Sequence, residues 1–246
     1  MAEQVSGYPA HDAREAYGAD YYLDADGQPQ KTFAFNDLTL LRAQAIAKAM
    51  NVPSGGRILD YGCGLGALTA AFSNLGYDAV GIDPSPHAVE HAVPQAQRLV
   101  RHVGRQALFD FDEGIFDLVV AKDVFEHIDE RQLHDVADRL LCIGSQVLAI
   151  IPVVNEDRKF VFSLYDDDPT HITRLTRNEW LGFFPYTVAE DYHELTPMVR
   201  RADKVAGTLC LRLAEPDVDG QSFLDWARTP QKPLTWHQRA KRFLAR

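Results

Sequence analysis

The chain has little cysteine, and its scarcity excludes two classes of protein. Cys63, Cys142 and Cys210 are three scattered residues with no Cys-x-x-Cys pair. An odd, dispersed set of this kind indicates buried thiols in a reducing compartment rather than a disulfide framework or a zinc site. At 246 residues, 46% of them hydrophobic, the chain is long enough to bury a core without such crosslinks.

Long apolar runs are also missing. A membrane-spanning helix needs roughly 18–20 apolar residues, whereas the longest run here, over 147–154, is short and broken by Pro152. The first twenty residues carry four acidic side chains and lack an apolar core, so we expect no secretory signal. These features predict a cytoplasmic protein.

Basic residues are outnumbered, and the formal net charge is −10. This argues against a general affinity for nucleic acid, whose phosphates attract basic surfaces. The charge is uneven, because residues 226–246 carry six basic and no acidic side chains, whereas the first 225 carry 19 basic and 35 acidic ones. We expect a solvated basic tail, with contact to a membrane surface or an acidic partner as the alternative.

Short β-rich runs alternate with helical stretches, which predicts an α/β fold with a mostly parallel sheet and helices on both faces. Strands are predicted at 57–61, 78–82, 106–109, 116–121, 146–151, 186–189 and 207–213, the last two as an antiparallel edge pair. Helices are predicted at 38–50, 67–74, 86–92, 130–142 and 177–183. Asp37 is expected to cap the first helix, and Thr176 and Glu179 have the spacing of a capping box before the last.

Three regions flank or interrupt this regular pattern. We divide the chain into an arm or lid over 1–36, a domain over 37–214 and a tail over 215–246. Within the domain, residues 152–175 form a long excursion, and loops of that length are usually functional, so we expect it on the substrate side. Four arm tyrosines are expected either to close over the site or to anchor the arm on the core: Tyr8, Tyr17, Tyr21 and Tyr22.

The most informative segment is a strand that ends in an acid and leads into alternating glycines, from Ile58 to Gly66. Glycine is needed where the backbone turns sharply and approaches a ligand too closely for a Cβ. A second strand ends in Asp83, 17 residues after Gly66. In doubly wound folds an acid at this point accepts hydrogen bonds from ribose hydroxyls.

Two adenosine cofactors compete for this turn, a nicotinamide dinucleotide and S-adenosylmethionine. Dinucleotide sites prefer Gly-x-Gly-x-x-Gly, which lets a helix N-terminus bind the pyrophosphate. Here the spacing is Gly-x-Gly-x-Gly, and Asp60 lies two residues before the first glycine. A carboxylate there repels pyrophosphate and attracts the ammonium of a methionine moiety, so electrostatics favours S-adenosylmethionine.

At these motifs the chain resembles the class I S-adenosylmethionine-dependent methyltransferases, in particular their small-molecule O-methyltransferases. The resemblance covers roughly 38–213 and also rests on Gly81-Ile82-Asp83, Phe109-Asp110 and the run over 116–121. It implies a Rossmann-like, seven-stranded, mostly parallel sheet whose last strand is antiparallel. It further implies a set of cofactor contacts: the methionine end on Asp60, Gly62, Cys63, Gly64 and Gly66, the ribose on Asp83, and the adenine on Asp110 and Phe111.

Candidate catalytic residues follow the fourth predicted strand, where α/β sheets build their sites. Asp123, Glu126 and His127 lie there, and His171 lies in the excursion. Histidine titrates near working pH, so His127 or His171, with Asp123 beside them, is a candidate base for removing a hydroxyl proton.

The same residues also resemble the acid-x-x-Glu-His plus histidine arrangement of quinone-pathway O-methyltransferases and small-RNA 2′-O-methyltransferases. That resemblance implies a divalent cation on Asp123, Glu126, His127 and His171, a set of oxygen and nitrogen ligands suited to such an ion. Asp123 stands where those patterns carry glutamate, which shortens its reach by one methylene.

The sequence as a whole predicts a methyltransferase that uses S-adenosylmethionine and acts on a small molecule. A hydroxyl acceptor is favoured over an amine, because histidines and carboxylates cluster where a proton must leave. The alternatives are a nicotinamide-dependent oxidoreductase, an RNA 2′-O-methyltransferase and a catalytically silent scaffold with the methyltransferase fold.

Overall fold

The computed structural model describes residues 16–23, 30, 33–103, 107–184 and 187–214. Its seven strands are β1 (Arg57–Tyr61), β2 (Asp78–Asp83), β3 (Val100–His102), β4 (Leu118–Lys122), β5 (Gln146–Pro152), β6 (Val188–Asp191) and β7 (Thr208–Ala214). The helices of this part of the chain are α1 (Asp37–Ala49), α2 (Ala67–Asn74), α3 (Pro86–Glu90), α4 (Glu130–Ile143), α5 (Arg177–Phe183) and α6 (Thr196–Val199).

All seven strands form one sheet in the order β3-β2-β1-β4-β5-β7-β6. The first five strands in this order are parallel to one another, and β7 is antiparallel to both β5 and β6. The core lies on both faces of the sheet: α1, α2 and α6 cover one, and α4 and α5 cover the other. The predicted fold class is therefore confirmed, including the antiparallel last strand.

The strand order reverses between β1 and β4, which are neighbours near the middle of the sheet. From β1 the chain continues to β2 and β3 on one side, and from β4 it continues to β5 on the other. In open α/β sheets, the carboxyl ends of the two strands at such a reversal border the ligand crevice. Both strands are almost wholly buried, as expected for parallel strands covered on two sides. The glycine-rich turn after β1 and the acidic segment after β4 are thereby placed side by side.

The prediction for the third strand was wrong. The structure places β3 at Val100–His102, where it pairs with β2, and the described part of the predicted 106–109 strand is a 3-10 turn over Ala107–Asp110. The backbone carbonyls here are engaged by a buried side chain of α4: Arg139 donates to the Leu108 oxygen at 2.8 Å and to the Phe111 oxygen at 2.7 Å. The turn therefore packs on a helix instead of joining the sheet.

The ends of two helices test the capping predictions. The cap of α1 is Asn36, whose side chain accepts a hydrogen bond from the Thr39 backbone N–H at 3.1 Å, so the expectation of Asp37 was wrong by one residue. Before α5 the capping box is confirmed. The Thr176 hydroxyl accepts from the Glu179 N–H at 3.3 Å, and the Glu179 carboxylate accepts from the Thr176 N–H at 2.8 Å.

We expect Thr176→Ala to lower the free energy of unfolding by about 1 kcal/mol, because the substitution removes a cap and leaves a helix N–H without its acceptor. Thr176→Ser keeps the oxygen and is the matched control, so it should stay close to wild type. Urea denaturation of the three proteins measures the difference. An alanine variant as stable as the serine variant would show that the box contributes nothing.

The excursion folds back onto the segment that follows β4. The Thr173 N–H donates to the Glu126 carbonyl at 2.9 Å, and the Thr173 hydroxyl donates to the Ile128 carbonyl at 2.5 Å. These bonds bring His171 beside His127, across 44 residues of sequence. Among the described helices, none is long and apolar enough to cross a membrane.

Candidate active site

A cavity of about 1050 Å³ opens at the carboxyl ends of β1, β2 and β4. Its walls come from the arm, α1, the glycine-rich turn with the start of α2, the end of β2, the segment after β4 with the excursion, and residues 199–204. The residues predicted for the ribose and the proton transfer, and those for the methionine end except Gly66, therefore share one cavity.

The three glycines of the turn have different roles. All adopt left-handed backbone, with φ of 73° at Gly62, 53° at Gly64 and 76° at Gly66. A Cβ on Gly62 would lie 2.5 Å from Val124, and one on Gly66 would lie 2.6 Å from Ala96, so protein packing excludes side chains there. Only Gly64 combines a lining position with room for a ligand, since its Cβ would meet nothing nearer than 3.5 Å.

Two buried carboxylates stand at the ends of β1 and β2. Asp60 accepts from the Thr69 hydroxyl at 2.7 Å, and Asp83 accepts from the backbone N–H groups of Gly64 at 2.7 Å and Ser85 at 2.8 Å. Burial raises the pKa of each carboxyl to about 6, even though these donors favour the ionised form. Both face the cavity, so a cation or further hydroxyl donors there would stabilise their charge.

The arm forms one wall of the cavity. Tyr17 is fixed at both ends, since its carbonyl accepts from the Ser85 hydroxyl at 2.7 Å and its side chain hydrogen-bonds to Thr170. Tyr21 and Tyr22 line the same wall, with ring centroids 5.2 Å apart. Tyr8 lies outside the described residues.

The two residues predicted for adenine lie away from this cavity's lining. Asp110 is exposed at the end of the 3-10 turn. Phe111 is half-buried and packs against Phe116 with ring centroids 5.3 Å apart. Their role toward adenine stays a prediction.

Glu126, His127 and His171 form a buried group whose candidate ligand atoms all lie within 4.8 Å of one another. Nδ1 of His127 is 2.8 Å from the Thr170 hydroxyl and 3.2 Å from its carbonyl, and Nδ1 of His171 is 2.7 Å from the Tyr165 carbonyl. A carbonyl only accepts, so Nδ1 carries the proton in both rings and each Nε2 keeps its lone pair.

The electrostatics of this group favour the neutral forms of His127 and Glu126. Burial, together with the neighbouring His171, lowers the pKa of His127 to about 4, so the ring is neutral at pH 7. Burial also raises the pKa of Glu126 well above its ordinary value, with the Asp123 charge adding to the effect. Neither carboxylate oxygen of Glu126 has a hydrogen-bond partner among the described residues, which is costly in an interior.

Asp123 takes a different place from the one predicted. Both its carboxylate oxygens accept from the guanidinium of Arg200, and one also accepts from the Lys122 ammonium at 2.5 Å. Burial alone would raise the pKa of Asp123, but these two cations hold it well below the ordinary aspartate value. The structure thus groups Asp123 with basic side chains and leaves it out of the Glu126–His127–His171 group.

The sequence reasoning missed the basic side chains of the cavity wall, which are Arg42, Lys122, Arg200, Arg201 and Lys204. They come from α1, from the end of β4 and from the segment after α6. No local spacing connects these regions, and Arg200 lies 77 residues from the aspartate it contacts. Apart from the net acidic charge of the chain, no signal in the sequence indicated that these basic residues would meet.

Residues 32–196 match a family model described as a methyltransferase domain. A ubiquinone biosynthesis O-methyltransferase from Methylococcus capsulatus is 32% identical over 117 residues, which are 46% of this chain and 48% of that protein. The chain thus spans about half the length of the curated relatives it matches.

Solved structures with a similar fold include a geranyl diphosphate C-methyltransferase from Streptomyces coelicolor, with a TM-score of 0.55 and 15% identity, covering 85% of this chain and all of that one (100%). The 1,6-didemethyltoxoflavin N1-methyltransferase of Burkholderia thailandensis has a TM-score of 0.53 and 17% identity, covering 76% of this chain and 82% of that one. At these identities the likeness shows the fold.

Proposed function

The chain belongs to the methyltransferase-domain family, and on that premise we propose that it transfers a methyl group from S-adenosylmethionine to a hydroxyl oxygen of a small molecule. The observation that carries the proposal is the shared cavity, in which Asp60 and Asp83 border the same space as His127 and His171. The cavity is large enough for a cofactor and a small acceptor together.

The charges of the cavity fit the charges of the cofactor. Asp60 is assigned to the methionine ammonium, and Asp83 to the ribose hydroxyls. Arg42 is assigned to the methionine carboxylate, because its guanidinium is half-buried with an unpartnered Nε. Burial and the nearby Arg200 charge lower the pKa of Arg42, so a bound anion would stabilise it.

Cofactor affinity is expected to fall in acid. In the free protein Asp60 and Asp83 have a pKa of about 6, above the unfolded value of 3.8, so below pH 6 both hold a proton that binding must displace. Because the folded protein binds these two protons more tightly than the unfolded chain does, the protonated carboxyls contribute to the free energy of unfolding. That contribution is fully present below pH 4 and is lost as the pH rises through 6.

We expect the dissociation constant of S-adenosylhomocysteine to rise about tenfold for each carboxyl between pH 7.5 and pH 5. Calorimetry across this range measures it. Asp60→Asn should bind more weakly at pH 7.5 and show a flatter profile, since one titrating group is gone. An affinity independent of pH in the wild type would contradict both assignments.

In the proposed reaction the acceptor oxygen attacks the methyl carbon in line with the sulfur. The carbon–sulfur bond breaks, its electron pair stays on sulfur, and the hydroxyl proton must leave. Without a cation, Nε2 of His127 accepts that proton. The Thr170 hydroxyl accepts from Nδ1 of His127 at 2.8 Å and donates to Asp168 at 2.5 Å, so this chain holds the ring and places a carboxylate behind the positive charge that forms.

The Glu126–His127–His171 group also fits a divalent cation. An orphaned buried carboxylate and two imidazoles are a donor set that such ions take, and backbone carbonyls hold both rings through Nδ1. Nε2 of His171 lies 3.6 Å from an Asp168 carboxylate oxygen. A bound cation would lower the pKa of the acceptor hydroxyl, which matters because a histidine with a pKa near 4 is a weak base.

Removing and restoring metal tests this proposal. We expect protein treated with a chelator to bind one Mn²⁺ per chain by calorimetry, His171→Ala to lose that binding, and His134→Ala, a histidine on α4 outside the cavity lining, to keep it. Transfer of labelled methyl to a catechol should fall on chelation and return with Mg²⁺, Mn²⁺ or Zn²⁺. Unchanged turnover in chelator and absent Mn²⁺ binding would leave His127 as a metal-free base.

A further inference from the structure

We propose that the methyl acceptor carries a carboxylate and that Lys204 binds it, an inference that rests on the proposed function and names its substrate class. The cavity is lined by six aspartates and by five basic side chains, which are Arg42, Lys122, Arg200, Arg201 and Lys204. A cation in a low-dielectric cavity is costly unless an anion lies beside it, so the partner of each basic group is informative.

Most of these cations already have a carboxylate. Arg200 and Lys122 share Asp123, and Arg201 pairs with the exposed Asp203 at 3.0 Å. Arg42 is assigned above to the methionine carboxylate. Lys204 differs, because its ammonium has no carboxylate within 4.0 Å in the part of the chain that the structure describes.

The surroundings of Lys204 fix its ammonium without neutralising it. Nζ donates to the Tyr165 hydroxyl at 3.3 Å and lies 4.6 Å from the ring centroids of both Phe162 and Tyr165. Its side chain is half-buried, and burial together with the Arg200 charge lowers its pKa. An anion in the cavity would relieve this repulsion and would find a donor already held in position.

Tyr165 relates this ammonium to the reacting end of the cavity. Its carbonyl accepts from Nδ1 of His171, and the two rings have centroids 5.4 Å apart. The ammonium and the imidazole therefore both contact the same phenol ring, one at its hydroxyl end and one at its backbone end. An aromatic acceptor that carries a carboxylate and a hydroxyl could therefore use both groups at once.

A carboxylate fits better than a phosphate. The paired N–H donors of Arg200 are already engaged by Asp123, which leaves Lys204 as a single point charge beside it. One point charge balances a monoanion such as a carboxylate better than it balances a phosphate, whose charge at pH 7 is about −1.5 to −2. The fit therefore points to hydroxylated aromatic acids.

The experiment compares 3,4-dihydroxybenzoate with its neutral methyl ester by calorimetry on protein saturated with S-adenosylhomocysteine. We expect wild type to bind the acid about tenfold more tightly than the ester, the contribution of one charge-assisted hydrogen bond. Lys204→Met should bind the two equally, and Lys204→Arg should keep the preference. Lys159→Met, an exposed lysine of the excursion outside the cavity lining, should behave as wild type.

An ester bound as tightly as the acid, no measurable binding of the acid, or a preference that survives in Lys204→Met would overturn the inference. Tighter binding of 3-hydroxyphenyl phosphate than of the acid would replace carboxylate by phosphate and overturn it too. S-adenosylhomocysteine should bind all four proteins equally. Its failure to bind wild type would contradict the proposed function, whereas intact binding with no acid preference contradicts this inference alone.

Discussion

Replacing Glu126 by glutamine is expected to lower the rate of methyl transfer by about 10³-fold while leaving the protein at least as stable as wild type. The carboxylate is fully buried, and neither oxygen has a partner among the described residues. Burial raises the pKa of this carboxyl and so favours its neutral form, and the neutral amide, which has nearly the same shape, fits the site without a cost in stability. The expected drop of about 10³-fold in the rate of methyl transfer corresponds to the loss of several kcal/mol of transition-state stabilisation, which is the size of the contribution that a bound cation would make.

Single-turnover methyl transfer and urea denaturation measure the two effects together. Glu156→Gln, an exposed glutamate of the excursion, is the matched control and should change neither. Should Glu126→Gln keep the wild-type rate, or unfold more easily by 2 kcal/mol or more (roughly the effect of losing a structural hydrogen bond), the residue has a structural role instead.

Asp123→Asn is expected to have the opposite pattern, with a large loss of stability. Removing the carboxylate leaves the buried Arg200 cation without its partner beside the half-buried Lys122, and breaking a buried ion pair in this way costs about 3–5 kcal/mol. In a domain of this size that lowers the melting temperature by roughly 6–20 °C.

The control is Glu190→Gln, which loses a surface pair with Arg212 and should cost at most about 1 kcal/mol. Thermal unfolding of both variants beside wild type gives the comparison. An Asp123→Asn protein as stable as wild type but inactive would return this aspartate to the catalytic role that the sequence pattern indicated.

Two features that depend on neighbouring residues were predicted correctly from the sequence. The resemblance to class I S-adenosylmethionine-dependent methyltransferases, drawn from the turn between Asp60 and Gly66, is confirmed by the family match. Such a turn is local, because adjacent residues determine both its backbone and the helix that follows it. The capping box before α5 was predictable for the same reason.

Predictions that depended on distant partners were less successful. The sequence placed Asp123 with Glu126 because they are three residues apart, whereas Arg200, 77 residues away, pairs with it in the structure. The misplaced third strand has a similar cause, since the carbonyls of its segment are held by Arg139 on α4. Buried ion pairs of this kind depend on tertiary packing, which no short spacing encodes.

The excursion was predicted in part from the sequence. Its length indicated function, and His171 within it was a candidate from the start, but its approach to His127 depends on Thr173 binding the backbone after β4. The resulting group of Glu126 and two histidines is the site at which the proposed divalent cation can be tested by experiment. Its donor atoms are set by packing that the sequence did not reveal.

The central claim is that the crevice beside Asp60 accepts S-adenosylmethionine and its demethylated product rather than a dinucleotide, and calorimetry with two ligands tests it most directly. The account predicts that S-adenosylhomocysteine binds with one site per chain and that Asp83→Ala weakens this binding by about tenfold or more. It predicts no measurable binding of NADH. Binding of NADH together with no binding of S-adenosylhomocysteine would contradict it.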